Sequence, residues 1–489
     1  MSCVLACDFG GSTLRAALID DEGRTIIKRA CAAPLPGGEE PAAEIDPAQW
    51  FNALNRLAHE LAAGADAAFA GAAAIAICGI TATQVFLDGR GRVVRPAMTW
   101  RDRRADQAAQ RLRERLKPCH PDRATVSAFH PAARLAWLQE NEPHSFDLLS
   151  SVFEPKDYLN YRLTGEVATD AISSARLAAT QEMVISRNLV PPRLDPLDVV
   201  GKVRADLTGA LSRLAGRPVL CMTNDTWAAV LGMGGLRARL GYNISGTTEV
   251  FGVISATAGR ARGLLTNDWT RGLHQIGGPS QSGADTANWL LTLLAHGEVG
   301  NGALARLLGV ARRGEPVIFL PYLQGERTPH WDARLRGAFL GLSRNHGPGD
   351  LAWAVLEGVA FLNRMVLERA ETAAGFAVDE IRLGGGASAN PVWCQTKSDV
   401  CERPVSVSAA SEPGLLGAAM AAWTALGRFR DLEEAQHTLS TCKHRYTPRP
   451  EAQSRYRSLY RHFERANELL HDLHREMSTD PLLKRDHNQ

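Results

Sequence analysis

Cys3-Val-Leu-Ala-Cys-Asp8-Phe-Gly-Gly-Ser-Thr-Leu-Arg15-Ala-Ala-Leu-Ile-Asp20 is the stretch whose reading decides the fold. One apolar run reaches Asp8, the residues Gly10, Gly11, Ser12 and Thr13 turn the chain, and a second apolar run leads from Leu14 to Ile19. A further turn at Asp20-Asp21-Glu22-Gly23 precedes a third run from Thr25. Aliphatic runs joined by a Gly-rich turn predict a β-hairpin. Bare glycine backbone and the hydroxyls of Ser12 and Thr13 offer hydrogen-bond donors suited to a phosphate. Asp8 sits at the mouth of the turn, where a carboxylate suits Mg²⁺ directly or through water. The same letters also suit an ordinary hairpin whose glycines only permit tight geometry.

Around this stretch the chain runs to 489 residues, more than one hydrophobic core of about 250–300 residues accommodates, so two or three domains are expected. A hydrophobic content of 45% and a charged content of 22% are those of a globular protein. With a formal net charge of +2 there is no electrostatic case for nucleic acid or an anionic membrane as partner. The basic clusters Arg101 to Arg104 and Arg111 to Lys117 read as solvated helix faces. Cysteines stand at 3, 7, 31, 78, 119, 221, 394, 401 and 442 with no CxxC pair, and no signal peptide opens the chain; a reducing cytoplasm is expected. The Ala-rich stretch from Leu61 to Ile77 is too short and too weakly apolar to span a bilayer.

Helical spacing from Pro47 to Ala63 puts Trp50, Leu54, Leu57 and Leu61 on one face. Ala74 to Ile80 predicts a buried strand, and Val85 to Trp100 two strands around an Asp-Gly turn. Helices are expected over Arg103 to Leu116, Pro131 to Glu140 and Pro155 to Thr164, the last closed by Gly165. A helix over Leu207 to Leu214 and a strand within Gly216 to Met222 lead to Thr223-Asn224-Asp225 and a helix from Thr226 to Met233. The second half then repeats the opening motif: Gly241 to Ile254 is apolar run, Gly/Ser/Thr turn and apolar run, with Ser245, Gly246, Thr247 and Thr248 standing where Gly10 to Thr13 stood. A strand over Val317 to Leu320, a helix from Leu351 to Leu367, and Glu380 to Asn390 as strand, triple glycine and helix follow. Val405 to Val407 predicts a strand, Gly414 to Leu426 an Ala-rich buried helix, Ala452 to Met477 an amphipathic helix, and the last dozen residues a frayed end. Two halves that each open on a hydroxyl- and Gly-bearing hairpin predict two similar α/β domains, 1–238 and 239–489, facing a cleft with phosphates held from both sides.

An ordered series of motifs makes the reading specific. It comprises Asp8 to Arg15, Trp100-Arg-Asp102, Lys156-Asp-Tyr-Leu-Asn-Tyr-Arg-Leu-Thr-Gly165, Asn224-Asp225 and Ser245 to Thr248. Tyr322 to His330, Gly337 to Ser343, Leu356-Glu-Gly358 and Gly384-Gly-Gly-Ala-Ser-Ala-Asn390 complete it. In order and spacing, over roughly Val4 to Arg428, the chain resembles the FGGY carbohydrate kinases, and within them the xylulokinases. The resemblance implies two actin-like (ribonuclease H-like) ATPase domains flanking a nucleotide and sugar cleft, and ATP-dependent phosphorylation of a sugar hydroxyl with Mg²⁺. It makes Asp225 the catalytic base, although an aspartate at a helix start also suits an N-cap. Asp8 becomes the residue that organises Mg²⁺. Gly10, Gly11, Ser12, Thr13, Arg15, Gly246, Thr247 and Thr248 fall on the phosphate side, with Arg15 equally suited to a neighbouring carboxylate. Gly385, Gly386, Asn390 and Asn288 fall on the nucleoside side. Gly384 to Ala389 also satisfies G-x-G-x-x-A, but no well-placed ribose-binding acid follows the next strand, so a dinucleotide fold is not expected.

Two departures from the family pattern bear on activity. Gly11 replaces the usual Thr, which removes a hydroxyl donor and predicts a modest weakening. Thr81-Ala82 stands where xylulokinases carry a Met-His pair, so the acceptor cannot be carried over from the resemblance. Thr81, Ala82, Gln84, Trp100 as an apolar platform, Asp102 as a paired acceptor and Asn224 beside the base are the candidate substrate contacts. For Asp102 a salt bridge to Arg103 or Arg104 is the alternative. D-Xylulose is the first expectation; ribulose, gluconate or a polyol, an actin-like ATPase switch, and a sugar-binding regulator without catalysis are the alternatives. A homodimer is among the states the resemblance allows, with the sugar and ATP as small-molecule partners.

Overall fold

The computed structural model describes residues 2–480 apart from 118–122, 124, 295–298 and 314, so Cys119 and most of the expected frayed end lie outside the described residues. The chain divides into two compact units. The first is Met1–Gly234 with Trp269–Arg271 and Glu412–Ser440; the second is Gly235–Asp268, Gly272–Ser411 and Thr441–Gln489. The expected division at 238/239 therefore differs in one large respect: the helix Pro413–Ala425 belongs with the first unit. Its packing against strands of that unit is the reason.

In the first unit, β1 (Cys3–Phe9), β2 (Thr13–Asp20), β3 (Thr25–Ala32), β4 (Ala72–Gly79), β5 (Val199–Lys202) and β6 (Pro218–Leu220) form one sheet in the order β5-β6-β4-β1-β2-β3. β1, β2 and β3 are an antiparallel meander, while β4 runs parallel to β1 and β6 parallel to β4. Side chains alternate across a strand. Cys3, Leu5 and Cys7 accordingly enter the core built around Trp50, Leu54, Leu57 and Leu61 of the helix Ala48–Gly64. The opposite face of β1 and β4 is covered by Pro413–Ala425. That helix is rich in Gly and Ala because it lies at backbone contact. A Cβ on Gly417 would stand 1.8 Å from the Ala228 carbonyl oxygen, and one on Gly232 would stand 2.0 Å from that of Pro413.

In the second unit, β7 (Leu240–Ser245), β8 (Glu249–Ser255), β9 (Leu265–Asp268), β10 (His274–Pro279), β11 (Glu380–Gly384), β12 (Val405–Ser408) and β13 (Cys442–Tyr446) form a sheet in the order β9-β10-β8-β7-β11-β12-β13. Its plan repeats the first: β7 pairs antiparallel with β8 and β8 with β10, while β11 runs parallel to β7 and β12 parallel to β11. The long helix is Pro348–Ala374, longer at both ends than the apolar periodicity from Leu351 to Leu367. The terminal helix Pro450–Thr479 buries Tyr456, Tyr460 and Phe463 against Phe361. Gly209–Leu214 is a 3₁₀ segment, and a short 3₁₀ turn, Gly386–Ala389, separates the triple glycine from the helix Pro391–Cys401.

The glycine contact between Pro413–Ala425 and Asp225–Gly232 leaves no room for a methyl group. Gly417→Ala is expected to lower the stability of the first unit by about 1–3 kcal/mol through overpacking. A urea midpoint equal to that of the unsubstituted chain would contradict this contact.

Candidate functional site

β1, β4 and β6 are adjacent parallel strands, so their carboxyl ends come out side by side, the position where open α/β sheets bind ligands. Asp8 lies near the end of β1, paired across to Cys78 of β4 and Arg15 of β2. A β-bridge between Gly79 and Asn224 brings the residue before Asp225 to the end of β4. The sheet thus gathers Asp8, Thr81 and Asp225, which stand 73 and 144 positions apart in the sequence.

Asp8 faces the helix Pro413–Ala425, and only glycine fits over it: a Cβ on Gly414 would stand 2.6 Å from Asp8 Oδ2. The Cys78 thiol donates to Asp8 Oδ1 at 3.8 Å. Burial, and then the nearby charge of Asp225, push the Asp8 carboxyl up to about 7 against the opposing pull of Arg15. Burial likewise pushes Asp225 up to about 6, against hydrogen bonding from Thr226, whose backbone N–H donates to Asp225 Oδ1 at 2.7 Å. Arg15 takes the neighbouring-carboxylate alternative: its Nε lies 3.1 Å from Glu412, which Lys28 also reaches at 2.8 Å. Two nearby carboxylates with no ion-pair partner among the described residues fit a hard divalent cation with oxygen ligands. Among the described residues no group of three or more His, Cys, Asp or Glu side chains forms a metal cage.

The turn itself is Gly10 to Thr13, closed by the Gly10 N–H donating to the Thr13 carbonyl at 3.1 Å. Gly11 and Ser12 are exposed and Thr13 is half-buried. The N-cap of the helix Asp225–Gly232 is Asn224, whose Oδ1 accepts from Trp227 N at 2.8 Å. Asp225 is therefore the first helical residue, not its cap, which leaves Oδ2 without a partner among the described residues.

Below this edge lies a buried ionic network. Lys156 Nζ reaches Asp157 at 2.5 Å, Asp170 at 2.9 Å and the Cys221 carbonyl at 3.3 Å. Asp170 accepts from the Thr223 hydroxyl at 2.7 Å, two residues before Asp225. The second unit has an equivalent beneath its own turn. Lys397 Nζ contacts Glu249 at 2.5 Å, Asn243 at 2.5 Å and Asn363 at 2.9 Å, while Ser245 hydrogen-bonds Glu249 across the hairpin neck. Above that neck Thr247 is exposed and Gly246 and Thr248 are half-buried. The first N–H groups of the helix Ala284–Leu294 donate to the Gly246 and Thr247 carbonyls at 3.0 and 3.1 Å.

Gly385 has φ +92°, and a Cβ there would stand 2.5 Å from the Ser245 carbonyl oxygen; above Gly386 a Cβ would meet nothing within 4 Å. That is bare, open backbone in the second unit. Asn390 spends its Oδ1 capping the helix Pro391–Cys401, accepting from Val392 and Trp393 N–H groups. Asn288 sits half-buried on the helix Ala284–Leu294.

Among the candidate substrate contacts the structure separates frame from surface. Gln84 is buried with both ends engaged, Oε1 by Arg134 and Nε2 by Glu154 at 3.2 Å. Asp102 is fully buried and takes the salt-bridge alternative, receiving Arg104 at 2.7 Å and the Ala43 N–H at 3.0 Å. Both serve the frame and present no free acceptor. Ala82 holds φ +56°, and Arg134 donates to its carbonyl at 2.8 Å. Burial draws Arg134 down to about 10 and pushes Glu154 up to about 8. Thr81 and Trp100 remain half-exposed. Arg134, Glu154, Asp170, Glu249 and Lys397 were not found from the sequence; only Lys156-Asp157 carried a signal, inside a quoted motif.

The N-terminal domain of the FGGY family of carbohydrate kinases matches residues 3–232, and its C-terminal domain matches residues 241–426. The chain belongs to that family and is a phosphotransferase acting on a sugar hydroxyl. It is 27% identical over 94% of its length to the xylulose kinase of Lactococcus lactis subsp. lactis, covering 95% of that protein. It is 30% identical over 85% of its length to that of Streptomyces coelicolor, covering 86% of it. The crystal structure of xylulose kinase from Rhodospirillum rubrum superposes with a TM-score of 0.86 at 28% identity, covering 97% of this chain and all of that one.

The raised Asp8 carboxyl has a consequence for pH. The folded state keeps this proton longer than the unfolded chain does, so the stabilising contribution is whole below about pH 4 and is lost as pH rises through about 7. Asp8→Asn is therefore expected to raise the denaturation midpoint clearly at pH 8 and little at pH 5, while lowering activity. Equal midpoint shifts at both pH values would contradict the assignment.

Proposed function

We propose that the chain transfers the γ-phosphoryl group of Mg²⁺-ATP to a hydroxyl of a ketopentose, D-xylulose first, giving the 5-phosphate. The observation that carries this reading is the free Oδ2 of Asp225, on a carboxylate that burial tunes to about 6 and that shares its strand-end edge with Asp8. A base whose proton affinity lies near the working pH is ionised in use yet still able to take a proton. Asp225 Oδ1 is held by the Thr226 N–H, so Oδ2 accepts the hydrogen of the attacking hydroxyl and orients its oxygen in line with phosphorus.

Mg²⁺, when bound, would supply positive charge to the phosphate oxygens, and Asp8 is the residue assigned to hold it, directly or through water. The backbone and hydroxyls of Gly10 to Thr13 in the first unit, and Gly246 to Thr248 in the second, are assigned to the phosphates. Gly385, Gly386, Asn288 and Asn390 are assigned to the nucleoside; no Cβ crowds Gly386. Thr81, the Ala82 backbone, Trp100 and the Asn224 amide nitrogen are assigned to the acceptor, while Gln84 and Asp102 hold the frame behind them. The names of the relatives at 27 and 30% identity support xylulose as acceptor. A cytoplasmic setting is supported by eight free cysteines among the described residues.

The test is ADP release with Mg-ATP across ketopentoses, aldonates, polyols and hexoses, against a no-sugar control. D-Xylulose is expected to give the highest turnover, and Asp225→Asn to lower it by about 10²–10⁴-fold with the fold retained. ADP release independent of sugar, or near-unchanged turnover in Asp225→Asn, would overturn the reading.

A further inference from the structure

Position 11 lacks a side chain, yet the space beside it is filled. A Cβ built on Gly11 would lie 3.0 Å from the indole nitrogen of Trp100, and 3.6 and 3.7 Å from the next two ring atoms. The nitrogen is thus the part of the ring closest to the side-chain position of residue 11. Trp100 is fixed from two sides: its backbone N–H donates to Thr83 Oγ1 at 3.2 Å, and the Arg101 guanidinium stacks on the ring 4.9 Å from its centroid. Thr83 is itself fully buried and tied through its own N–H to Glu154 at 3.1 Å. Neither restraint uses the indole N–H, which has no partner among the described residues; the ring is half-exposed.

Indole N–H is a donor only, with no accepting capacity. Its setting is an exposed glycine turn whose Ser12 and Thr13 hydroxyls likewise have no partner among the described residues, so that indole N–H, hydroxyls and bare backbone together make the turn rich in donors. A set of that kind matches a phosphate oxygen better than a sugar hydroxyl, which must also donate.

We propose that the Trp100 indole N–H donates to a phosphate oxygen of the bound nucleotide at the Gly10–Thr13 turn, supplying the donor that Gly11 has no side chain to provide. Gly11 and Trp100 then form one functional pair: the glycine makes room for the ring edge, and the ring edge replaces what the glycine lost. This rests on the reading of the turn as a phosphate site, and it separates two parts of Trp100: the N–H edge serves the nucleotide, and the ring face is left to the acceptor.

The test measures binding of a non-hydrolysable ATP analogue with Mg²⁺, and of adenosine, by calorimetry. Trp100→Phe keeps a ring and loses the donor. It is expected to weaken the analogue about tenfold or more, the range for a hydrogen bond to a charged group, and to leave adenosine unchanged. Gly11→Thr alone is expected to bring no gain, because its Cβ meets the indole. Added to Trp100→Phe, it is expected to recover a substantial part of the loss, which also shows that the loss was not one of folding. Unchanged analogue binding in Trp100→Phe, an equal loss for adenosine, strictly additive effects of the two substitutions, or a rise confined to the KM for sugar would each overturn the proposal. If no sugar is phosphorylated but the analogue binds and responds as described, the kinase reading fails while the donor assignment stands.

Discussion

Two carboxylates kept together at the carboxyl-terminal edge of the parallel strands β1, β4 and β6 are the constraint on which the first unit depends. Asp8 and Asp225 are both desolvated, and the charge of Asp225 makes the ionisation of Asp8 harder, yet among the described residues no lysine or arginine forms an ion pair with either. The arginine closest in register, Arg15, is taken up by Glu412. Such an arrangement is unfavourable for folding alone, and positive charge placed beside it would offset the cost. The cost is carried by tight packing: Gly414 closes over Asp8, and the same helix meets the Asp225 helix at Gly417 and Gly232.

Beneath the turns, each unit spends a buried lysine on carboxylates. Lys156 joins Asp157 and Asp170 under the strand end that leads to Asp225, and Lys397 joins Glu249 under Gly246 to Thr248. Buried ion pairs add little net stability because desolvation offsets attraction, but removing one partner is severe. Their geometry here fixes backbone: the Cys221 carbonyl and Thr223 hydroxyl in one case, the hairpin neck from Ser245 to Glu249 in the other. Both units thus share one arrangement, an exposed Gly- and hydroxyl-bearing turn above a buried ion pair.

Much of this was legible in sequence because it is local. Periodicity gave the Cys3–Asp20 hairpin, the Trp50-Leu54-Leu57-Leu61 face and the Gly165 stop, each fixed by residues a few positions apart. What sequence left open was decided by distant partners. Gln84 reads as a free polar group until Glu154 and Arg134 occupy it, and Asp102 stands between a paired acceptor and an ion pair until Arg104 decides it. Asn224 and Asp225 are both good capping residues, and only the backbone geometry at the helix start gave the cap to Asn224. Lys397 and Glu249 stand 148 positions apart with no motif linking them, and the return of Glu412–Ser440 to the first unit has no local signature. Gly11 read as a lost donor; the indole edge beside it is visible only in three dimensions.

Asp225 is proposed to direct phosphoryl transfer to a sugar and not to water. Phosphorus NMR of the chain with Mg-ATP and D-xylulose tests this most directly. A sugar phosphate monoester signal growing in step with ADP, with inorganic phosphate at the no-enzyme level, is the predicted result. ADP accompanied by an equal amount of inorganic phosphate, and no sugar phosphate with D-xylulose or any other acceptor, would contradict it.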